Sequence, residues 1–469
     1  MIALLELTPS VSERTTLAHS YLPPNTQIWF MIFMINALKD FCQKQGFDCT
    51  YWIAYSGGLD SHVLLHLFSR LRSEHPLKLC AVYVNHGLSQ NADAWALHCK
   101  KICADLQVDF LEQKIQAKSA AGESQEEVAR KRRYAAFSDL LATEDLLVTA
   151  HHQDDQAETL LIQLCRGAGP KGLAAMPSQK VLGQGFQVRP LLDFARDDLK
   201  HYADAHQLKW IEDESNTNLN FSRNFIRHKV LPVLKERWPT VSQTLTRVSV
   251  NCAEAQVLLD WQAERDWQEA NGSAPTLLSV ARLLLLDPLR QRQLLRYWLS
   301  QQGIASPGSL QIHQIQRDLL QARSDKTPLM VWNGTEIRRF RDDLYVLSEM
   351  AVHDANQILP WDFAAPLWIP GFKKALLAEP LIGQGLKTTL SNVTIRFRQG
   401  GEVCRMPGRQ CRHRLKNLFQ EWQVPYWERD RIPLVYVGEQ LVAVLGFYIE
   451  EGFAAKDGET GYALTWDKK

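Results

Sequence analysis

The chain has 469 residues, 45% of them hydrophobic and 22% charged, with a formal net charge of +1. This length exceeds one ordinary domain, and the composition excludes a disordered or membrane-embedded class. The near-zero charge confines any nucleic-acid surface to a local patch, and nine cysteines with no C-x-x-C pair exclude a disulfide framework and a zinc-finger array.

Residues 1–29 form an amino-terminal extension with little periodicity and a Pro23-Pro24 pair. The apolar run Trp29–Leu38 is too short to span a bilayer and too far along for a usual signal peptide, so a cytoplasmic protein without membrane attachment is expected. Phe30–Lys44 reads as the first amphipathic helix. From about residue 48 to 215, strands alternate with helical patterns, which predicts an α/β fold with a parallel, doubly wound sheet. The strands are Thr50–Tyr55, Leu79–Asn85, Val108–Gln113 and Leu146–Ala150. Helices follow them, and one is opened by the S-x-x-E capping box Ser124–Glu127.

The first strand breaks into Ser56-Gly57-Gly58-Leu59-Asp60-Ser61 and then a helix. Glycines let the backbone come close to a ligand, and the unpaired amides of such a turn attract an anion. Asp60 suits phosphate only if a divalent cation bridges the two. At the end of the second strand, Asn85-His86-Gly87 offers His86 to a phosphate or base, or is a plain turn. Arg130 and Arg133 share a helix face with Tyr134, as a polyphosphate or RNA contact or as a solvated basic face. The fourth strand ends in His151-His152-Gln153-Asp154-Asp155-Gln156-Ala157-Glu158, with Asp155 and Glu158 on one face at i,i+3. A di-metal hydrolase uses similar clusters, although further ligands are not evident here. Arg223, Asn224 and Arg227 then ride a helix that ends before Pro232.

Residues 241–350 read as helices at Asn251–Ala270, Leu277–Gln302 and Ser309–Ala322, then a strand-like stretch Leu329–Leu347. Leu283–Leu286 and Trp298 are expected to pack between helices. Proline and glycine mark a loop-rich entry to residues 351–469, where Ile395–Lys416 holds seven Arg or Lys against one Glu. Arg405, Arg409, Arg412 and Arg414 in that stretch suit a phosphate backbone, or alternatively a solvated edge strand.

In order, the chain shows SGGLDS, VNHGLS, ARKRRYAAF, AHHQDDQAETLL, RGAGPKGLAAM, RPLLDFARDDL and EDESN before RNFIRHKVLP. This series resembles the tRNA(Ile)-lysidine synthetases of the PP-loop ATP pyrophosphatase superfamily, closely over residues 50–240. A second resemblance, FRQGGE through LKNLFQEWQVPYWERDRIPLVY, is to that family's terminal tRNA-binding domain. The resemblance implies a catalytic PP-loop domain at 30–240, a mainly helical domain at 241–350 and a small α+β tRNA-binding domain at 351–469. It further implies ATP and Mg2+, free L-lysine, an isoleucine tRNA with a CAU anticodon, and a homodimer. Lysidine would form at the wobble cytidine through an adenylated intermediate, with release of AMP and pyrophosphate, shifting codon recognition from AUG to AUA.

By the same resemblance, Ser56, Gly57, Gly58, Leu59, Asp60, Ser61 and His86 bind the nucleotide, and Asp60 and Asp155 the metal. Asp155 or Glu158 takes a proton or holds lysine. Arg130 and Arg133 steady the reacting oxygen or phosphoryl group, and Arg223, Asn224, Arg227 and the four distal arginines contact tRNA. A PP-loop tRNA thiolase would share the ATP site, but Cys80, Cys103 and Cys165 lack the paired spacing that sulfur chemistry usually needs.

Overall fold

The computed structural model describes residues 26–87, 89–116, 125–305, 307–323, 326–350, 353–372, 374–406 and 412–467. Ser124 of the expected capping box and Arg409 therefore lie outside the described residues. The chain divides into two compact units, residues 1–259 and 260–469.

In the first unit the elements are α1 (Thr26–Gln45), β1 (Thr50–Ala54), α2 (Leu59–Arg72), β2 (Lys78–Asn85), α3 (Ala92–Asp105) and β3 (Asp109–Lys114). They continue with α4 (Gln125–Leu140), β4 (Leu146–Val148), α5 (Gln153–Cys165), α6 (Pro170–Leu173), β5 (Gln179–Leu182), β6 (Gly185–Val188) and α7 (Arg196–Ala205). The sheet order is β3-β2-β1-β4-β6-β5. Every neighbouring pair is parallel except the β5–β6 hairpin at the edge.

Alternation along β1 sends Tyr51 and Ile53 to one face and Trp52 and Ala54 to the other. Tyr51, Ile53 and Tyr55 join Met34 and Leu38 of α1, Val63, Leu67 and Phe68 of α2, and Leu199 and Tyr202 of α7 in the main core. Trp52 and Ala54 pack with Val82, Val84, Leu147, and Phe137 of α4. Both faces of the sheet are covered, as an all-parallel core requires. Truncating the fully buried Ile53 to alanine would cost about 2–5 kcal/mol.

Sheet order fixes where a ligand can sit. From β1 the chain steps outward to β2 and β3, then returns to place β4 on the other side of β1. The order reverses between β1 and β4, and the crevice beyond their carboxyl ends is the usual ligand position in such sheets.

The second unit opens with an antiparallel sheet of Leu278–Ser279, Asp343–Ser348, Thr335–Phe340 and Leu329–Trp332. It packs on helices whose core includes Leu294, Leu295, Trp298, Leu299, Ile312 and Leu319. The helix expected over Leu277–Gln302 is broken into Val280–Leu284 and Pro288–Gln301. Pro288 cannot continue a helix from before it, and the Asp287 carboxylate accepts from the amides of Leu289 and Arg290 to start the second. That break turns Leu285 outward at 85% exposure, against the expectation that Leu283–Leu286 would all pack, while Leu283 and Trp298 are buried. The remaining strands form a five-stranded sheet, a four-stranded sheet and the hairpin Val403–Arg405/Arg412–Arg414.

Candidate active site

Both chemical stretches leave the sheet at its reversal point: Ser56–Ser61 follows β1, and His151–Glu158 follows β4. In the first, Gly57 takes a left-handed φ of 81°. A Cβ there would come within 2.7 Å of Ile211 Cδ1 and 2.9 Å of Cys99 Sγ and displace both side-chain ends, and the conformation itself favours glycine. The loop is pinned from inside. Ser61 Oγ donates to the Gly58 carbonyl at 3.0 Å and accepts from the Ser56 amide at 3.2 Å, and the Ile211 amide donates to the Gly57 carbonyl. Leu59 packs inward at the start of α2, and no side chain caps that helix. Its first turn is left for an anion.

Asp60 stands on this first turn. Its Oδ2 lies 3.6 Å from His152 Nε2 and its Oδ1 4.0 Å from Arg196 Nε. Oδ1 is buried and accepts no hydrogen bond.

His152 is fully buried and joins the two stretches. Its Nδ1 accepts from the Asp155 amide, the Asp155 carboxylate accepts from the His152 amide at 3.0 Å, and His152 Nε2 lies 3.4 Å from Asp155 Oδ2. Burial opposes the imidazolium, but the carboxylates of Asp155 and Asp60 outweigh it and hold the His152 pKa above its ordinary value. The reciprocal cap, legible as a polar residue three before Asp155, is what locks α5 beside the glycine turn.

Asp155 and Glu158 share a face of α5, as expected from their spacing, and meet Arg223 and Arg227 there. Arg223 donates from Nη2 to Asp155 Oδ1 at 2.7 Å and from Nε to Glu158 Oε2 at 2.7 Å. Arg227 donates from Nε to Glu158 Oε1 at 2.6 Å and from Nη2 to Asp155 Oδ1 at 2.9 Å and Glu158 Oε2 at 3.0 Å. Burial alone would raise the Asp155 pKa, but the charges of His152, Arg223 and Arg227 hold it well below the carboxylate range. Both guanidiniums are themselves held protonated by the two carboxylates against their burial. Such a lattice tolerates little: removing one partner strands a buried charge. A π-helical turn at Ile226–Val230 follows Arg223 in the chain and carries Arg227, a backbone irregularity common at functional sites. Asn224 faces elsewhere, donating to the Asn218 carbonyl at 3.0 Å.

Asp154, next to Asp155, is a clamp that the sequence did not single out. Its Oδ1 accepts from Ser242 Oγ at 2.5 Å and pairs with Lys235 Nζ at 2.7 Å, while its Oδ2 accepts from the Arg196 amide at 3.1 Å. His151 is driven down to about 3 by burial and stays neutral, its Nδ1 2.9 Å from Thr149 Oγ1.

On α4, Arg130 and Arg133 lie over the Tyr134 ring at 5.4 and 5.8 Å, with Lys180 at 4.9 Å. Burial and then the charge of Arg133 push His86 down to about 4. Its Nδ1 is buried without a partner. Arg130, Arg133 and His86 thus form a basic rim with a neutral imidazole.

The distal arginines lie in the second unit. In the hairpin, Arg405 pairs across from Arg412, and Arg414 sits opposite Val403. Side chains opposite one another share a face, as do residues two apart, so Arg405, Arg412 and Arg414 line one side. Cys404, on the other, is buried in a core with Leu415, Leu418 and Phe419. Arg405 and Arg412 border a cleft of about 220 Å³ with Glu402, Tyr436, Glu439 and Glu450.

Among the described residues no group of three or more His, Cys, Asp or Glu is placed to hold a metal ion by itself, and no helix is long and apolar enough to cross a membrane.

Residues 34–234 match the model of a PP-loop domain, residues 278–345 that of a TilS substrate binding domain, and residues 393–466 that of a TilS substrate C-terminal domain. The chain is 46% identical over 433 residues to a tRNA(Ile)-lysidine synthase of Coxiella burnetii, covering 92% of this chain and 96% of that one. It is 41% identical to a tRNA(Ile)-lysidine synthase of Legionella pneumophila, covering 86% and 92% respectively. Among solved structures, the U34-tRNA thiolase NcsA of Methanococcus maripaludis aligns with a TM-score of 0.43 at 16% identity, over 49% of this chain and 80% of that one.

Proposed function

The chain belongs to the tRNA(Ile)-lysidine synthase family, ATP-using PP-loop ligases, and on that premise we propose that it joins free L-lysine to C2 of the wobble cytidine in the CAU anticodon of an isoleucine tRNA. The observation that carries this reading is the meeting, at the β1/β4 reversal, of an uncapped glycine turn with the four-charge lattice of Asp155, Glu158, Arg223 and Arg227.

The chemistry proceeds in two displacements. O2 of the cytidine attacks the α-phosphorus of ATP, the bond from that phosphorus to the bridging oxygen breaks, and pyrophosphate leaves with the electron pair. The lysine amine, having lost a proton, then attacks C2, and the C2–O2 bond breaks to expel AMP carrying that oxygen. A carbonyl oxygen is a poor leaving group, and adenylation makes it a good one. The target base must first leave its stack to reach a crevice at the carboxyl ends of β1 and β4.

The backbone of Ser56–Ser61 holds the nucleotide phosphates. Mg2+ fits at Asp60, because its Oδ1 has no hydrogen-bond partner and this ion is commonly held by one or two carboxylates with substrate phosphates and water. When bound there it neutralises charge on the departing pyrophosphate. Asp155 is a poorer ligand than its sequence position implied: Oδ1 is taken by both arginines and Oδ2 by His152. Its role, with Glu158, is to hold the two guanidiniums. Lysine brings a carboxylate, and the partly exposed edges of Arg223 and Arg227 offer guanidiniums for it. Arg130 and Arg133 steady the developing charge at the phosphoryl group. Arg405, Arg412 and Arg414 grip the tRNA backbone away from the chemistry, together with Arg409. The protein acts in the cytoplasm, as a homodimer.

Incubation with ATP, labelled lysine and tRNA bearing a CAU anticodon tests the proposal. Label retained in the RNA, with stoichiometric AMP, is the expected result. AMP formed without lysine in the RNA would assign the chain to another adenylating activity.

A further inference from the structure

We propose that Arg196 is a further catalytic residue, whose guanidinium binds the phosphate oxygens that leave as pyrophosphate; this rests on the ATP-cleaving reading above. Two features of Arg196 differ in kind. Its main chain is anchored: the amide donates to Asp154 Oδ2 at 3.1 Å, and Asp154 is itself held by Ser242 and Lys235. The amino end of α7 is fixed once more by the Asp198 carboxylate, which accepts from the Ala195 amide at 2.8 Å. The side chain, by contrast, is half-exposed at 49%, and the carboxylate it approaches is Asp60, at 4.0 Å, with no hydrogen bond formed.

A pair that loose and that exposed contributes little to stability. It does not account for two anchors on the stem. What it does is aim a permanent cation at the first turn of α2, beside the carboxylate that holds the nucleotide's cation. Two cations converging on one carboxylate repel each other unless an anion lies between them. A polyphosphate seated on the amides of Ser56–Ser61 is such an anion, and a guanidinium suits it better than an ammonium because its planar fork engages two oxygens.

In the first displacement the α-phosphorus-to-oxygen bond breaks and the bridging oxygen keeps the pair. Charge therefore grows on the β-phosphate side. Arg196 stays protonated throughout, gives up no proton, and stabilises that charge electrostatically. His152 on the other side of Asp60 is fully buried and cannot follow the leaving group, whereas the exposed guanidinium can.

The test compares Arg196→Ala and Arg196→Lys with the wild-type chain in lysidine formation and ATP–pyrophosphate exchange. Product inhibition by pyrophosphate and by AMP is measured separately, and melting is followed in parallel. The alanine variant should lose about 10²-fold in exchange rate, the scale for one transition-state donor. Inhibition by pyrophosphate should weaken with it, inhibition by AMP and the KM for lysine should hold, and the lysine variant should recover part of the loss. Unchanged pyrophosphate inhibition in a folded Arg196→Ala protein overturns the proposal. So does a uniform loss in all parameters tracking a lower melting temperature, which is the mark of a mere tether. A wild-type chain that forms no lysidine and releases no pyrophosphate would instead overturn the reading of the site on which this rests.

Discussion

Arg223 and Arg227 in the first unit and Arg405, Arg412 and Arg414 in the second are the same residue type under opposite physics. The first pair is half-buried, fully engaged and held by Asp155 and Glu158 at 2.6–3.0 Å. The distal three are exposed along one side of a two-stranded hairpin. Burial makes a charge position-specific and intolerant of a lost partner, because the medium around it screens little. Exposure makes it replaceable, additive and sensitive to salt. The contrast teaches that a basic motif's role follows from its surroundings, since both groups began as plausible tRNA contacts.

Substitution should expose this difference most sharply inside the lattice. Arg223→Ala leaves Glu158 and Asp155 with one guanidinium between them, and we expect about 10²–10³-fold lower lysidine formation with a destabilisation on the order of 3 kcal/mol. Turnover assays and chemical denaturation read the two effects. A variant with wild-type turnover would mean that the lattice is scaffolding alone. Asp60→Asn should abolish most ATP–pyrophosphate exchange while leaving the melting temperature nearly unchanged, since Oδ1 makes no hydrogen bond to lose.

Acid should also separate the units. Burial lowers His62 and His66 to about 4, so both are neutral in the folded state. The unfolded chain takes up their protons below pH 6.5 or so, and stability should therefore fall between about pH 6.5 and 4, by on the order of 3 kcal/mol for each at the limit. Asp155 acts later and in the same direction: its depressed pKa contributes stability present above its unfolded value and lost at still lower pH. Denaturation followed over that pH range checks this, and a flat profile down to pH 4 would contradict the buried neutral histidines. The smallest effect is expected at the hairpin. Arg405→Gln with Arg412→Gln should weaken tRNA binding by about tenfold and reduce the salt slope by about two, with turnover at saturating tRNA preserved. An unchanged slope would make this face merely solvated.

Much of the first unit was legible in advance because its signals are local. The apolar run into Ser56–Ser61 is a strand followed by a glycine turn whichever strand lies beside it, and observed element ends agree with the expected ones to within a few residues. The i,i+3 spacing of Asp155 and Glu158 likewise needed only helical geometry. Where a local pattern was misleading, a single residue explains it: Pro288 splits a helical stretch whose periodicity ran straight through it. The roles of the acids were harder to read, because nothing at Asp155 announces that two arginines 68 and 72 residues away will occupy its oxygens.

By itself, the sequence determined the alternation of strands and helices, the strand-to-glycine-turn-to-helix pattern at Ser56–Ser61, and the shared face of Asp155 and Glu158. Each follows from backbone periodicity or from steric limits within a few residues. Only the tertiary structure decided that β4 lies against β1, which brings His152 between Asp60 and Asp155 and aims Arg196 at the glycine turn. Strand order is set by which faces can be buried together, a property of the whole core that no single segment encodes.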